Sequence, residues 1–310
     1  MWIFMILKDF QNRRFSWITP RFIGIFFMIC CATIISFGGL IYRNFEDIEI
    51  LEIVFFRSLA LISYMGISLC FKYKFNVFKN IRGIGVKGFF ASAIFCSAQV
   101  SWLIALNFTS VANATFTLCL TPFITALVAY VFIKEAISRV TFCTMMLALV
   151  GVSIMVFGGI KTNANLGLIS ALYTSIAFSV FAVTLRSNRN LDMLPVLLVT
   201  GLLMGAIGGV GGSFSNSIAS KDIILCVIWG VLLQGFAHSL LIKASRLILS
   251  AEITLFMLLE FTLGPLWVWL FLNEIPVATT LIGGGVIILS VIVLAGSEIT
   301  RAFRIEKELN

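Results

Sequence analysis

Charged side chains are scarce in this sequence, and their scarcity excludes a soluble globular protein. Only 12% of the 310 residues are charged, whereas soluble domains carry roughly 25%. Hydrophobic residues make up 60% of the chain, and the mean hydropathy is +1.08. The remaining polar residues are too few to cover a water-facing surface, so the sequence predicts a polytopic membrane protein.

Residues that build catalytic and metal centres are also few. The chain has one histidine and contains no HExxH, no GxSxG and no Asp-rich pair, which argues against an intramembrane enzyme. The seven cysteines lie in apolar segments without a CxxC, so packing as small hydrophobic residues is their predicted role and neither a metal nor a cofactor is expected. No basic aromatic patch is present, so nucleic acid is not an expected partner.

Long apolar segments are abundant instead. A membrane-spanning helix needs roughly 20 mostly apolar residues, and short connectors leave no room for a soluble domain. Ten segments fit, near 22–41, 50–71, 84–106, 111–133, 140–160, 166–185, 193–212, 222–242, 251–272 and 277–297. The predicted fold class is therefore an all-α membrane protein with ten transmembrane helices.

The basic residues predict the orientation of these helices. If the N-terminus is cytoplasmic, 18 of the 22 lysines and arginines fall in cytoplasmic segments, as the positive-inside rule requires. Both termini are then cytoplasmic, in a bacterial-type plasma (inner) membrane, and anionic lipid accounts for the net charge of +8.

An internal repeat relates the two parts of the chain. With a shift of 139 residues, 105–135 aligns without gaps on 244–274, with seven identities over 31 positions. Each copy ends in a lone glutamate, Glu135 or Glu274, which we interpret as a loop anchor and candidate gate. The unit contains five spans, and an odd number inverts the second copy in the membrane. The predicted divisions are a cytoplasmic or interfacial lead-in over 1–21, inverted five-helix repeats over 22–160 and 161–297, and a cytoplasmic tail over 298–310.

The end of the fourth span in each repeat resembles a known family. The stretch TPFITALVAYVFIKE contains Pro122 and Glu135, and LLEFTLGPLWVWLFLNE contains Glu260, Pro265 and Glu274. Together with the layout of two five-span halves, these stretches resemble the EamA-type members of the drug/metabolite transporter superfamily over essentially the whole chain. The resemblance implies transport of amino acids, related metabolites or other small solutes, driven by protons or by the solute gradient. The common Leu-Glu-Pro order is stretched here, so the substrate of a particular member does not transfer.

Glu260 is the leading candidate for the transport pathway because it lies about nine residues into its span, near the bilayer midplane. Intramembrane acids are rare and usually functional, although a neutral acid hydrogen-bonded between helices is the structural alternative. Thr121 is its repeat partner and precedes Pro122. We interpret Pro122, Gly264 and Pro265 as hinges, because proline frees backbone carbonyls and permits bending.

Arg57 is the second candidate, and it matches an arginine that the resembling family often carries in its second span. It could pair with a substrate carboxylate or with Glu260; a salt bridge to Glu49 or Glu52, or snorkelling to the interface, is equally compatible. The other pathway candidates are polar or aromatic residues placed at depth or near helix ends, for which structural roles compete: Gln99, Trp102, Tyr173, Gln234 and His238.

The leading functional hypothesis is a secondary-active transporter that exports small metabolites such as amino acids or their derivatives by alternating access. Its cavity would be lined by spans 1, 3, 4, 6, 8 and 9. A flippase of the same fold for lipid-linked substrates is the alternative, and an intramembrane enzyme is less favoured. The expected partners are a small-molecule solute and the lipid bilayer, with protons as a candidate coupling ion, in a monomer or homodimer.

Overall fold

The computed structural model describes residues 20–46, 48–109, 114, 117–156, 165–212, 214, 218–273 and 278–309. Every regular element within these ranges is helical. The prediction of an all-α chain is therefore confirmed for the described residues. Glu274 and Lys161 lie outside them.

Fourteen α-helices are described in these ranges, together with the 3₁₀ turn Lys74–Asn76 and one long π-helical segment. They are α1 (Pro20–Ile35), α2 (Gly38–Arg43), α3 (Ile50–Tyr73), α4 (Val77–Gly83), α5 (Gly85–Phe108), α6 (Thr121–Ile133), α7 (Arg139–Val156), α8 (Asn165–Ser187), α9 (Pro195–Gly211), α10 (Ser220–Ile228), the π segment (Trp229–Ala237), α11 (His238–Ala244), α12 (Ser250–Met257), α13 (Leu259–Leu272) and α14 (Ala278–Leu309).

Six helical stretches of the described chain are long and apolar enough to cross a membrane. They cover Pro20–Arg43, Ile50–Tyr73, Gly85–Phe108, Leu166–Ser187, Ser220–Ala244 and Ser250–Phe271. Four shorter apolar helices accompany them, at Thr121–Ile133, Arg139–Ile154, Pro195–Gly211 and Leu281–Ser297. Each of these stretches overlaps one of the ten apolar segments of the sequence, and six of them reach the length of a membrane span. Helix α14 continues to Leu309, so the predicted tail begins as a continuation of the last helix.

Four of the apolar segments are not uniform α-helices, a feature that the sequence did not predict. Turns occur at Ser36–Phe37 between α1 and α2, at Cys119–Leu120 before α6, and at Leu258 between α12 and α13. The fourth interruption is the π segment. Interrupted helices expose backbone groups that must be satisfied inside the protein, so these places are candidates for a polar site.

The turn before α6 follows from the chemistry of Pro122, which is at the start of that helix. Proline has no N–H to donate to the carbonyl four residues earlier, and its ring clashes with that carbonyl. The carbonyl in question belongs to Leu118, and the Thr121 hydroxyl donates to it at 2.5 Å instead. A threonine before the proline therefore satisfies the group that the proline leaves unpaired.

Packing between helices places the interrupted segments together. Helix α1 lies against the π segment, α11, α12 and α13, and α2 lies against α13. Helix α3 packs on α9, α10 and the π segment, while α5 packs on α8 and α9. Helix α6 contacts α8 and α12, and α7 pairs with α14. The interrupted helices α1–α2 and α12–α13 thus lie next to one another.

Candidate functional site

The turn between α1 and α2 is held by α13. The indole Nε1 of Trp267 donates to the Ser36 hydroxyl at 2.7 Å, and the Trp267 ring stacks on Phe37 with centroids 4.5 Å apart. An ideal Cβ on Gly264 would lie 3.6 Å from the Ser36 carbonyl oxygen, so the two backbones approach closely there. Trp269, two residues further along α13, is exposed. Trp267 therefore faces the interior, whereas Trp269 does not.

Glu260 lies in the first turn of α13, deep inside the protein. Its side chain nevertheless keeps accessible surface. Among the described residues it has no hydrogen bond or ion pair, and the thiol of Cys31 on α1 is near enough to interact with it electrostatically. Within the described chain, the Glu260 carboxyl is therefore not part of a hydrogen-bonded contact between helices.

Arg57 is fully buried in α3. Its guanidinium lies 5.3 Å from the centroid of the Trp229 ring, and its Nη2 donates to the backbone carbonyl of Gln99 at 3.4 Å. Its Nε and Nη1 have no hydrogen-bond partner in the described part of the chain. Glu52 instead accepts from the Glu49 backbone N–H at 3.1 Å, so neither of the two acids suggested by sequence pairs with Arg57.

His238 and Gln234 lie near this arginine, at the end of the π segment. The His238 ring is buried, its Nδ1 is 2.9 Å from the Leu233 carbonyl oxygen, and its centroid is 4.9 Å from that of Phe95. The Gln234 amide donates to the Met204 sulfur at 3.6 Å, while its Oε1 is buried without a hydrogen-bond partner among the described residues. The histidine is thus a packed, hydrogen-bonded residue of the helix interface.

A third polar group joins α6 to α8. The Thr125 hydroxyl donates to the Ser179 hydroxyl at 2.9 Å, and Ser179 donates to the Thr121 carbonyl at 3.2 Å. Tyr173 is exposed, and its hydroxyl donates to Ser97 on α5 at 2.9 Å. Trp102 packs against a small cluster of buried alanines. These contacts are of the kind that holds membrane helices together.

The structure therefore divides the predicted pathway residues into groups. Arg57, Gln99, Gln234 and His238 gather between α3, α5 and the π segment. Glu260 lies apart from them, on the side of α1 and α13. No contact joins Glu260 to Arg57 within the described residues. Gly264 and Pro265 lie inside the continuous helix α13, and the break in that segment comes earlier, at Leu258.

Sequence reasoning missed the ion pairs at one end of the helices. Glu135, just after α6, accepts from Arg186 Nε at 2.9 Å and from the Ser250 backbone N–H at 3.1 Å. Arg21 of α1 pairs with Glu252 of α12 at 2.5 Å. The Glu135–Arg186 pair connects the two predicted repeats, and the Arg21–Glu252 pair connects the last residue of the predicted lead-in to the second repeat. The lone glutamate at the end of a span was the visible signal for Glu135, but its partners are 51 and 115 residues away.

A further contact joins α3 to the connector between α8 and α9. Asp192 accepts hydrogen bonds from Lys72 and from the Tyr73 hydroxyl. Partial burial of the Asp192 carboxyl acts to raise its pKa, but the bonds from Lys72 and Tyr73 outweigh it, and the pKa lies below the usual value for aspartate. The carboxylate therefore stays charged and fastens this end of α3.

Comparison with known proteins supplies the family. Residues 22–157 match the model of the EamA-like transporter family, and no curated protein gives a significant match to the sequence. A solved structure described as "Crystal structure of protein" superposes with a TM-score of 0.73 at 16% identity, covering 91% of this chain and 98% of that chain, which shows a shared fold. The region 22–157 therefore belongs to the EamA-like transporter family of the drug/metabolite transporter superfamily, and the resemblance seen in the sequence is confirmed over this region.

Proposed function

We propose that the chain is a secondary-active transporter that exports small metabolites such as amino acids or their derivatives by alternating access. Two inverted five-helix halves would rock around a shared site near the bilayer midplane, with Glu260 as its acidic group. The family match supplies the transporter class and the membrane location. The inverted halves, the direction and the solute are our proposals.

Matching local features support the repeat. Lys134 and Asn273, each following the last residue of α6 or α13, both have left-handed backbone conformations, with φ of 56° and 55°. The turns at Cys119 and Leu258 are also 139 residues apart. Positive φ is uncommon outside glycine, so its recurrence at the same repeat position favours a common local design. The shift derived from seven identities thus agrees with backbone geometry.

The packing of the helices gives independent support. A shift of 139 residues maps α3 onto α9 and α7 onto α14. Helix α3 is in contact with α9, and α7 is in contact with α14. The shift maps the contact between α5 and α8 onto the contact of α1 with α11 and the π segment. It maps the contact between α5 and α9 onto the contact between α3 and the π segment. Two mirrored halves that enclose one site are the usual basis of alternating access.

The observation that carries the functional proposal is the environment of Glu260. Its carboxyl is deep, accessible and unpaired among the described residues, beside two interrupted helices, α1–α2 and α12–α13. Transporters bind solutes and coupling ions at interrupted helices near the midplane, and intramembrane acids there bind cations or carry protons.

Reconstitution into liposomes tests the proposal. Purified protein should move members of a panel of labelled amino acids across the bilayer, and an imposed pH gradient should change the rate if protons are coupled. Protein-free liposomes are the control. The absence of flux for the whole panel would contradict amino-acid transport, and movement of a labelled lipid-linked sugar without amino-acid flux would establish the flippase alternative.

A further inference from the structure

The guanidinium of Arg57 is a buried charge without an acidic partner in the described part of the chain. Arginine stays protonated in proteins, and the side chain is fully enclosed, with two of its nitrogens lacking hydrogen-bond partners in the described chain. The ionisable groups that interact with it are the thiols of Cys96 and Cys226 and the ring of His238. None of these is a carboxylate. Burial of an unpaired charge is strongly unfavourable, so this arrangement is incomplete without an anion.

The equivalent interface in the other half shows that the fold does not require this charge. A shift of 139 residues carries Arg57 to Val196 on α9, which is fully buried. The Val196 carbonyl accepts from the Ser92 hydroxyl of α5 at 3.1 Å, and Thr200 donates to the Ser92 carbonyl at 3.2 Å. At the position equivalent to Arg57, the interface between α9 and α5 is therefore packed with an apolar side chain. The two predicted halves therefore differ at this position, and only the first half has an arginine there.

The helix opposite Arg57 departs from the repeat as well. An ideal Cβ on Gly230 would lie 2.2 Å from the Arg57 carbonyl oxygen, so the π segment approaches α3 very closely. The corresponding part of α5 is regular α-helix. The π segment also contributes the Trp229 ring and the unpaired Oε1 of Gln234. π-Helical geometry is rare, and its short bulges are frequent at functional sites.

We propose that Arg57 binds the carboxylate of the transported solute. This inference rests on the proposed function and narrows it to solutes with a free carboxylate. A guanidinium donates to both oxygens of a carboxylate through Nη1 and Nη2 together or through Nε and Nη2 together. Nε and Nη1 have no partner among the described residues, and Nη2, which donates once to the Gln99 carbonyl, has a second N–H for this bond. Because Arg57 has no exposed surface here, the anion binds in a conformation in which α3 and the π segment have moved apart. Binding is thereby coupled to the movement that exposes the site.

Thermal unfolding of the purified full chain tests the inference. The probes are an equimolar mixture of neutral L-amino acids and the matching mixture of their amides, at equal concentration and ionic strength. The acids should raise the unfolding midpoint by about 2–4 °C at roughly five times Kd, and the amides should not. Arg57→Met should abolish the response to the acids, Arg57→Lys should retain part of it, and Lys221→Met, which removes an exposed cation, should leave it unchanged.

Folding defects are separated from binding defects by the ligand-free midpoint. Arg57→Met removes an unpaired buried charge, so its midpoint without ligand should equal or exceed that of the wild type. Equal responses to acids and amides, no response to either, or a preserved preference in Arg57→Met would each overturn the inference. If liposomes transport amides as fast as acids, only the carboxylate requirement fails, whereas the absence of any flux refutes the proposed function itself.

Discussion

The acidic residues of this chain illustrate how differently the same side chain is used at the residue scale. Glu135 is fastened by an arginine and a serine, and Glu252 by an arginine. Glu260 has no such partner among the described residues and keeps accessible surface. Burying a carboxylate without compensation costs several kcal/mol. A group kept in that state is therefore the best candidate for exchanging partners during transport.

Glu260→Gln should leave the fold intact but depress transport or remove its pH dependence. The amide keeps the size and shape of the side chain, but it cannot take up or release a proton or carry a negative charge. Flux in liposomes at several pH values measures the effect, with Glu46→Gln, an exposed residue, as the control. Wild-type flux and wild-type pH response in Glu260→Gln would refute the role.

Glu135→Gln should lower the free energy of unfolding by about 1–3 kcal/mol, because the lost bonds are charge-assisted and partly shielded from water. The side chains of Glu135 and Arg186 are only 13% and 12% exposed. The matched control is Glu46→Gln, whose partner is Lys221 and whose pair is 57% and 51% exposed; exposed pairs contribute about 0–1 kcal/mol. Equal losses in detergent-based unfolding experiments would contradict this difference.

At the scale of elements, interruptions rather than regular helices distinguish the candidate site. The turn at Ser36–Phe37 is closed by Trp267 from α13, and the turn before α6 is closed by the Thr121 hydroxyl. The π segment packs on α3 at a glycine. Of these contacts, the Thr121 bond satisfies a backbone carbonyl, as the membrane interior requires, whereas the contacts of Trp267 and Gly230 hold neighbouring helices together.

Gly230→Ala should destabilise the contact between the π segment and α3. The added methyl group would lie 2.2 Å from the Arg57 carbonyl oxygen and 2.7 Å from the Ala60 Cβ, so the helices must separate, at a cost of about 1–3 kcal/mol. Gly66→Ala is the matched control, because its methyl group would meet nothing within 4 Å and alanine favours the helix. In thermal unfolding experiments, the midpoint of Gly230→Ala should fall, whereas that of Gly66→Ala should stay the same or rise.

The Asp192 contact makes a small part of the stability depend on pH. Because the pKa of Asp192 is lowered in the folded protein, the contact stabilises the fold above the unfolded pKa of about 4. That contribution disappears as the pH falls through the folded value. Asp192→Asn should therefore lower the midpoint at neutral pH, and its difference from the wild type should shrink below about pH 4. A difference that is independent of pH would contradict this account.

At the scale of the whole molecule, the exchange of helix contacts under one shift is the main argument for two inverted halves. It can be tested through topology, because inversion places the α3–α5 connector and its repeat equivalent, the α9–α10 connector, on opposite sides of the membrane. Lys221→Cys should react with a membrane-impermeant thiol reagent added to intact cells, and Lys79→Cys only after permeabilisation. Both belong in a background without the exposed native thiols Cys70 and Cys143. Labelling of both from the same side would exclude the arrangement.

The sequence by itself determined the membrane class, the helical fold, the approximate extent of several helices and the family of the region 22–157. Hydrophobicity over about 20 residues depends on local composition alone, and this is why ranges such as 50–71 and 84–106 agree closely with α3 and α5. The position of Glu260 within an apolar span and the 139-residue repeat were also visible in the sequence.

Only the tertiary structure decided which polar residues meet. The grouping of Arg57 with Trp229 and Gln99, the bond from Trp267 to Ser36 and the pair of Glu135 with Arg186 all join residues far apart in the chain. The same holds for the π segment and the turn at Ser36–Phe37, which depend on neighbouring helices. Local periodicity carries no information about such partners, because they are selected by the packing of helices against one another.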